Sequence, residues 1–233
     1  MTIWFALLTI GAYLLGSVPA SYLAARFFRG IDLTQYGTGQ VGGGNLWRMT
    51  SWKLGLPVGL FDLCKGMVMV WAAQAAGLAV AQQLVIGSAA IIGHNWPIFL
   101  RFSGGIGIGT TIGVVLILPI INSITPWASV AFFAIILIGS IVLRSSPLPA
   151  LAATAALPSV SWGVQEALPV TMAYLAIPVI IIIKRLTAPS SSNTATVGKG
   201  QLILNRLLFD RDIKDRKVWM YRKPVEQKKQ KEG

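Results

Sequence analysis

The sequence predicts an all-α polytopic membrane protein of about seven transmembrane helices, with its N-terminus outside and its C-terminus cytoplasmic. Three observations predict it. Hydrophobic residues make up 54% of the chain and charged residues only 12%, with a mean hydropathy of +0.65, whereas soluble domains carry about 25% charged residues. Seven apolar stretches follow one another at 3–27, 56–78, 83–100, 106–122, 126–143, 147–164 and 168–184. Most are near the ~20 residues that carry a helix across ~30 Å of hydrocarbon. The basic residues then alternate. Arg26, Arg29, Arg48 and Lys53 bracket the loop after the first stretch, Arg101 follows the third, Arg144 the fifth, and Lys184 and Arg185 the seventh. Loops after the second, fourth and sixth stretches have no Lys or Arg, which is the pattern of a chain whose basic loops face the cytoplasm.

Taken in order, the first stretch has no basic flank before it and is longer than a signal-peptide core, so it reads as a retained span. The loop after it, "GIDLTQYGTGQVGGGNLWR", is dense in glycine. The second stretch contains "FDLCKG", where Asp62 and Lys65 share one helical face and can neutralise each other. Lys65 near the cytoplasmic end is also a candidate phosphate ligand. Cys64 is the only cysteine, which excludes an internal disulfide and a cysteine-based zinc cluster. The third stretch holds the chain's single histidine, His94, three residues before Pro97; it reads either as hydrogen-bonded scaffold or as an acid–base group. Next comes "RFSGGIGIG", with Thr110 and Thr111 where the loop passes into the fourth stretch. The last three stretches are apolar and bland.

Residues 1–186 thus form a transmembrane unit, followed by a polar linker at 187–200 and a basic tail to 233. The net charge of +12 follows from topology and from that tail, so the partner it implies is anionic lipid headgroups and not nucleic acid. The tail has eleven basic residues from Lys199 onward, interleaved with Trp219 and Tyr221, and reads as a solvated topogenic segment.

Both glycine loops fall on the cytoplasmic side. Gly37, Gly39, Gly42, Gly43 and Gly44 in the first and Gly104, Gly105 and Gly107 in the second allow close approach of backbone N–H groups to an anion, with Thr110 at the start of the following helix. A phosphate suits such a site. A nucleotide P-loop is excluded because Thr110 stands where its lysine belongs, and a dinucleotide fold because no strand precedes either loop.

The motif order "GSVPASYL", "GIDLTQYGTGQVGGGNLWR", "DLCKG" and "GHNWPIFLRFSGGIGIGTTIGV" resembles the bacterial acyl-phosphate:glycerol-3-phosphate acyltransferases, the PlsY family. The resemblance covers about residues 11–115 and implies a multi-pass inner-membrane enzyme with a cytoplasmic active site, using no metal or other cofactor. Acyl phosphate and glycerol 3-phosphate would be its substrates, and lysophosphatidate and phosphate its products. On the family's Ser-Gly-Asn-x-Gly-x-Thr-Asn-x-x-Arg motif fall Thr38, Gly39, Gln40, Gly42, Gly44, Asn45 and Arg48. The resemblance implies that Thr38 and Asn45 orient the attacking hydroxyl and that Arg48 grips a phosphate, with His94 a further catalytic candidate. Two departures stand out. The family's Gly-Gly-Lys-Gly is Gly104-Gly105-Ile106-Gly107 here, and its third motif, built on a His and an Asn, survives only as "NRLL" at 205–208. The alternative is therefore a catalytically impaired paralogue that binds a phosphorylated lipid or metabolite in the same pocket. Acyltransferases of the His-x-x-x-x-Asp type are excluded, because Phe99 stands five residues after His94.

The charge pattern is testable by cysteine labelling in a variant lacking Cys64. Membrane-impermeant reagent is expected to reach the N-terminus and position 166 and to miss positions 40, 103 and 220. Labelling from outside at 40 or 103 would put the glycine loops on the wrong face.

Overall fold

The computed structural model describes residues 2–189 and 197–220. Among these, eleven α-helices are present: α1 (Thr2–Gly16), α2 (Ala20–Arg29), α3 (Gly43–Met49), α4 (Trp52–Ala75), α5 (Val80–Asn95), α6 (Ile108–Asn122), α7 (Trp127–Leu143), α8 (Pro147–Gly163), α9 (Leu168–Leu186), α10 (Lys199–Phe209) and α11 (Arg216–Met220). The all-helical expectation holds. Four segments are both long and apolar enough to cross a membrane, namely Ile3–Arg29, Trp52–Ala75, Val80–Leu100 and Leu168–Leu186. Helix α6, with 15 residues, rises only about 22 Å at 1.5 Å per residue.

Two of the expected continuous spans are broken, both by proline. The first stretch is α1 and α2 joined at Ser17–Pro19, and the third ends as helix at Asn95, ahead of Pro97. A proline has no N–H to donate and disfavours helical geometry in the residue before it, so each break leaves carbonyls at a helix end. The first long loop is also more ordered than its glycines imply. Asp32 Oδ1 accepts from the Thr34 N–H at 3.0 Å to start a short 3₁₀ turn, and residues 43–49 form α3.

The burial pattern is that of a bundle in lipid. Along α9 the exposed residues include Leu168, Met172, Leu175, Val179 and Ile183, while Thr171, Tyr174, Ile177 and Ile181 are among those buried. Apolar side chains therefore occupy both faces, as expected where the outer solvent is hydrocarbon. The main core joins α4 to α9 through Val70, Leu84, Ile91, Val114, Phe132, Leu157 and Ile177. A second cluster, including Ala12, Met69 and Ile86, ties α1 to it.

Small residues set the closest helix crossings. A Cβ on Gly16 would lie 2.2 Å from Ala90 O, and one on Gly93 would lie 2.2 Å from Tyr13 O, so α1 and α5 each bring a glycine to the other's backbone. Helices α4 and α6 do the same through Gly66 against Thr110 O at 2.4 Å and Gly113 against Leu63 O at 2.0 Å. Close backbone approach through small residues is the main packing device where lipid removes the hydrophobic drive between helices.

The tail differs from the solvated segment expected. From Lys199 onward it forms α10 and α11, with Asn205, Arg206, Asp212 and Trp219 buried. Arg206 Nε meets Asp212 Oδ1 at 2.7 Å and its Nη1 donates to Leu186 O at 2.8 Å. Satisfied in this way, basic side chains pack and need not stay in water. Residues 190–196 of the linker, and the tail beyond Met220, lie outside the described residues.

The crossings give a paired prediction. Gly113→Ala is expected to destabilise the detergent-solubilised protein by at least about 1–3 kcal/mol, the usual cost of overpacking. Gly59→Ala, whose Cβ meets nothing within 4 Å, is expected to be neutral or stabilising by up to about 1 kcal/mol through helix propensity. Equal thermal shifts for both variants would show that the α4–α6 contact does not depend on the missing Cβ.

Candidate active site

The C-terminal end of α5 organises the site. His94 O accepts from the Gly105 N–H at 3.2 Å, Asn95 O from Lys184 Nζ of α9, and Trp96 O from the Tyr13 hydroxyl of α1 at 3.0 Å. Lys184 Nζ also lies 5.4 Å from the centre of the Trp96 ring. The carbonyls freed by Pro97 are thus taken up by three different parts of the chain. One of them is the second glycine loop, which is pulled across the helix end.

Here the two glycine loops meet. A Cβ on Gly105 would lie 2.4 Å from His94 Nε2 and 2.6 Å from Val41 O of the first loop. Gly107, at φ +78°, then turns the chain into α6, where its carbonyl accepts from the Thr111 N–H and hydroxyl at 2.8 and 2.9 Å. Only glycine passes between these backbones and adopts that φ without strain.

A cavity of about 490 Å³ opens at this junction. Of the residues singled out from sequence, Thr38, Gln40, Gly42, Gly44, Asn45, Arg48, His94, Gly105 and Gly107 line it. Ile106 lines it too, with its side chain buried in the wall.

The other expected ligands do not line this cavity, and each has a physical reason. Gly37 and Gly39 sit at positive φ and shape the first loop, and a Cβ on Gly37 would strike Asn45 Oδ1 at 2.2 Å. Gly43 packs on α4, where a Cβ would be 2.9 Å from Gly55 O, and Gly104 packs against His94 O. Thr110 is fully buried at the α4 crossing. Lys65 is buried as well, 2.9 Å from Asp62 Oδ1 and donating to Gly16 O at 2.9 Å. The carbonyl left at the Pro19 break and the Asp62 carboxylate accept from the ammonium, which holds Lys65 among the helices and away from the cavity.

Asn45 also does something different from what its motif implies. Its Oδ1 accepts from the Thr38 N–H at 3.0 Å, and its Nδ2 donates to Tyr36 O and Gln40 O at 3.0 Å each. A carboxamide spent on both edges of a loop holds the shape of that loop and has little left for a substrate hydroxyl. Thr38 keeps a usable hydroxyl: its Oγ1 accepts from the Gln40 N–H at 3.3 Å, which leaves the O–H free to donate. His94 Nδ1 lies 3.4 Å from the same Asp62 oxygen that Lys65 meets. A carboxylate at Nδ1 favours the tautomer protonated there and turns Nε2 into an acceptor at the cavity wall.

The electrostatics were not legible from the motifs alone. Arg48, Arg144, Arg185, Arg211 and Arg216 all line the cavity, against Asp210 as the one carboxylate among the described lining residues. Asp210 is held by Gln40, whose Nε2 donates to Oδ2 at 2.6 Å. Burial raises the Asp210 pKa above the usual carboxylate range, opposed by Arg185 and by the bond from Gln40. Arg185 Nη2 donates to Pro147 O at 2.5 Å and its Nη1 to Leu207 O, so α9 pins both α8 and α10. In the sequence Arg144 and Arg185 read as topological charges and Arg211 and Arg216 as tail. The signal was the tail's own composition, since Phe209 and Trp219 among Asp210, Asp212 and Asp215 are unlike a plain solvated basic run.

Similarity to known proteins agrees with this geometry. Residues 6–189 match the family model described as glycerol-3-phosphate acyltransferase. Glycerol-3-phosphate acyltransferase 5 of Dehalococcoides mccartyi is 39% identical over 229 residues, covering 95% of each chain. The glycerol-3-phosphate acyltransferase of Thermus thermophilus is 42% identical over 116 residues, 50% of this chain and 56% of that one. The crystal structure of PlsY (YgiH), an integral membrane glycerol 3-phosphate acyltransferase, in its glycerol 3-phosphate form superposes with a TM-score of 0.69 at 28% identity, covering 78% of this chain and 88% of that one. Its lysophosphatidic acid form gives 0.66 at 27% identity, covering 78% and 87%. With most of its length matched by the family model and a relative 39% identical along almost the whole chain, this protein is a member of the glycerol-3-phosphate acyltransferase family.

Proposed function

We propose that this protein transfers a fatty acyl group from acyl phosphate to glycerol 3-phosphate at the cytoplasmic face of the bacterial inner membrane, giving lysophosphatidate and phosphate for phospholipid synthesis. The observation that carries the reading is the single cavity in which both glycine loops meet five arginines. Two phosphate-bearing substrates must be held side by side in this reaction, and a site so rich in guanidinium groups suits two anions at once. Ile106, Ile108 and Ala150 supply an apolar wall for the first carbons of the acyl chain.

The chemistry needs little beyond positioning, because phosphate is a good leaving group. The primary hydroxyl of glycerol 3-phosphate attacks the acyl carbonyl carbon, the carbon–oxygen bond to phosphate breaks, and the departing phosphate takes both the electron pair and the hydroxyl proton. His94 Nε2 and Thr38 stand at the wall to orient that hydroxyl. Backbone N–H groups of Ile106–Ile108 suit the donor phosphate, that of Gly105 being spent on His94 O, and Arg48 serves the acceptor phosphate. Burial, and then the neighbouring Arg216 charge, lower the Arg48 pKa from its ordinary value. A dianion between the two would relieve that repulsion.

For the membrane arrangement we propose seven crossings, made by α1 with α2, then α4, α5, α6, α7, α8 and α9, with the N-terminus outside. The one-sided basic loops support this reading, and the cavity lies among the residues they assign to the cytoplasmic face. Residues 1–186 would be the membrane unit, with α10 and α11 an appended cytoplasmic segment.

Purified protein given acyl phosphate is expected to release phosphate and form lysophosphatidate only when glycerol 3-phosphate is present. No acceptor-dependent product from a monodisperse preparation would sink the reading. Gly105→Val is expected to reduce kcat/KM at least about a hundredfold, since its Cβ would displace His94 Nε2 or part the loops, and misplacement near 1 Å costs about that much. Arg48→Ala is expected to raise the acceptor KM about ten- to a hundredfold, as loss of a charge-assisted hydrogen bond of about 1.5–3 kcal/mol predicts.

A further inference from the structure

The family's lysine position is Ile106 here, buried in the cavity wall, so one cation expected near the substrate phosphates is absent from the second glycine loop. The cavity is nonetheless strongly cationic, and two of its arginines come from the far end of the chain. Arg211 follows α10 and Arg216 opens α11, and both line the cavity together with Phe209 and Trp219.

This segment is fixed in place, which separates it from a loose basic tail. Gln40 of the first glycine loop bonds Asp210, Arg185 of α9 bonds Leu207 O, and Arg206 bonds Leu186 O. Asp215 caps α11, its Oδ1 accepting from the Lys217 and Val218 N–H groups at 2.7 and 3.0 Å. Trp219 is buried behind it. So anchored, the segment holds Arg211 and Arg216 at the cavity.

Among the described residues, Arg211 Nε is buried without a hydrogen-bond partner, its guanidinium lying 5.1 Å from the centre of the Phe209 ring and attracted by Asp210 and Asp215, and Arg216 makes no ion pair. Arg216 faces like charges on both sides, and its field helps depress the pKa values of Arg48 and Arg211. Burial is the larger cause in both. Like charges gathered in one cavity with a single, already bonded carboxylate form a site built for an added anion.

We infer that Arg211 and Arg216 of the C-terminal segment, together with Arg48, bind the phosphate of the acceptor, supplying from the tail the positive charge that Ile106 does not. The inference rests on the acyltransferase reading and deepens it. The ligand chemistry is a phosphate monoester dianion on a small polyol, held by forked guanidinium donors. The donor phosphate stays with the glycine loops and the start of α6. Acceptor recognition is then set by a segment outside the glycine motifs.

The test uses full-length protein carrying Arg211→Gln, Arg216→Gln or both, with Lys217→Gln as a control. Lys217 is exposed on the same short helix and does not line the cavity, so the control removes charge without removing a ligand. Each arginine variant is expected to raise the glycerol 3-phosphate KM about ten- to a hundredfold, with less than about a twofold change in acyl-phosphate KM. Arg216→Lys should retain part of the affinity. Melting temperatures without ligand confirm that the variants are folded. An unchanged acceptor KM overturns the inference, and so does a parallel rise in donor KM or an equal loss in Lys217→Gln. Calorimetric titration with glycerol 3-phosphate, with no donor present, separates the two readings. A wild-type protein that binds this ligand without turnover, and loses it in the double variant, keeps the inference and sinks the acyl-transfer reading. No binding by the wild type sinks both.

Discussion

A helix that ends inside a membrane protein leaves carbonyl groups that must find donors, and this requirement at the end of α5 governs the whole site. Pro97 stops the helix. Its last carbonyls then gather Tyr13 from α1, Lys184 from α9 and the backbone of Gly105. An unsatisfied carbonyl in hydrocarbon costs several kcal/mol, so the loop that carries Gly105 is held where the helix end needs it. The glycine loop owes its place to the scaffold's own hydrogen bonding as well as to any ligand.

The same logic repeats at Pro19. Gly16 O, left at the end of α1, is met by Lys65 of α4, and Lys65 is balanced by Asp62, which also meets His94. One buried ionic cluster therefore links the end of α1 to the end of α5. Removing Asp62 or Lys65 leaves the other's buried charge uncompensated, which typically costs about 3–5 kcal/mol. This is why a charged pair persists among helices that otherwise pack through glycine and aliphatic side chains. It fixes the orientation of His94 through contacts that also join the helices together.

Much of the architecture was legible in the sequence because lipid imposes a simple rule, that every span must be helical and apolar. Each of the seven stretches is largely helical, the first and third being interrupted at their prolines, and the glycine loops lie together. What escaped was how particular polar groups are used. Asn45 and Lys65 have the chemistry of substrate ligands, yet both are consumed by backbone carbonyls or by Asp62. Spacing along the chain does not reveal these partners, since they come from the break in α1 and from the fold of the first loop. Thr110 failed for a related reason. It lies at the expected helix start, but α6 crosses α4 there, and the crossing buries it. Arg185 read as a topological charge, but its position at the end of α9 lets it bond both Pro147 O and Leu207 O while lining the cavity.

The tail brings these threads together. A cation placed at position 106 would lie on the glycine turn beside His94, whose other nitrogen already meets the Asp62–Lys65 pair. Arg211, after α10, and Arg216, on α11, line the same cavity from the opposite chain end, in a segment anchored through Gln40, Arg185 and Asp212. Charge can then be supplied to a substrate phosphate without altering the packed junction of α5 with the glycine loop. The loop keeps the shape that the broken helix requires, while the C-terminal segment adds Arg211 and Arg216 to the pocket. On the proposed reading, divergence at Ile106 and at the "NRLL" segment goes with acceptor recognition by the C-terminal helices, while the backbone cradle stays where the helix end holds it.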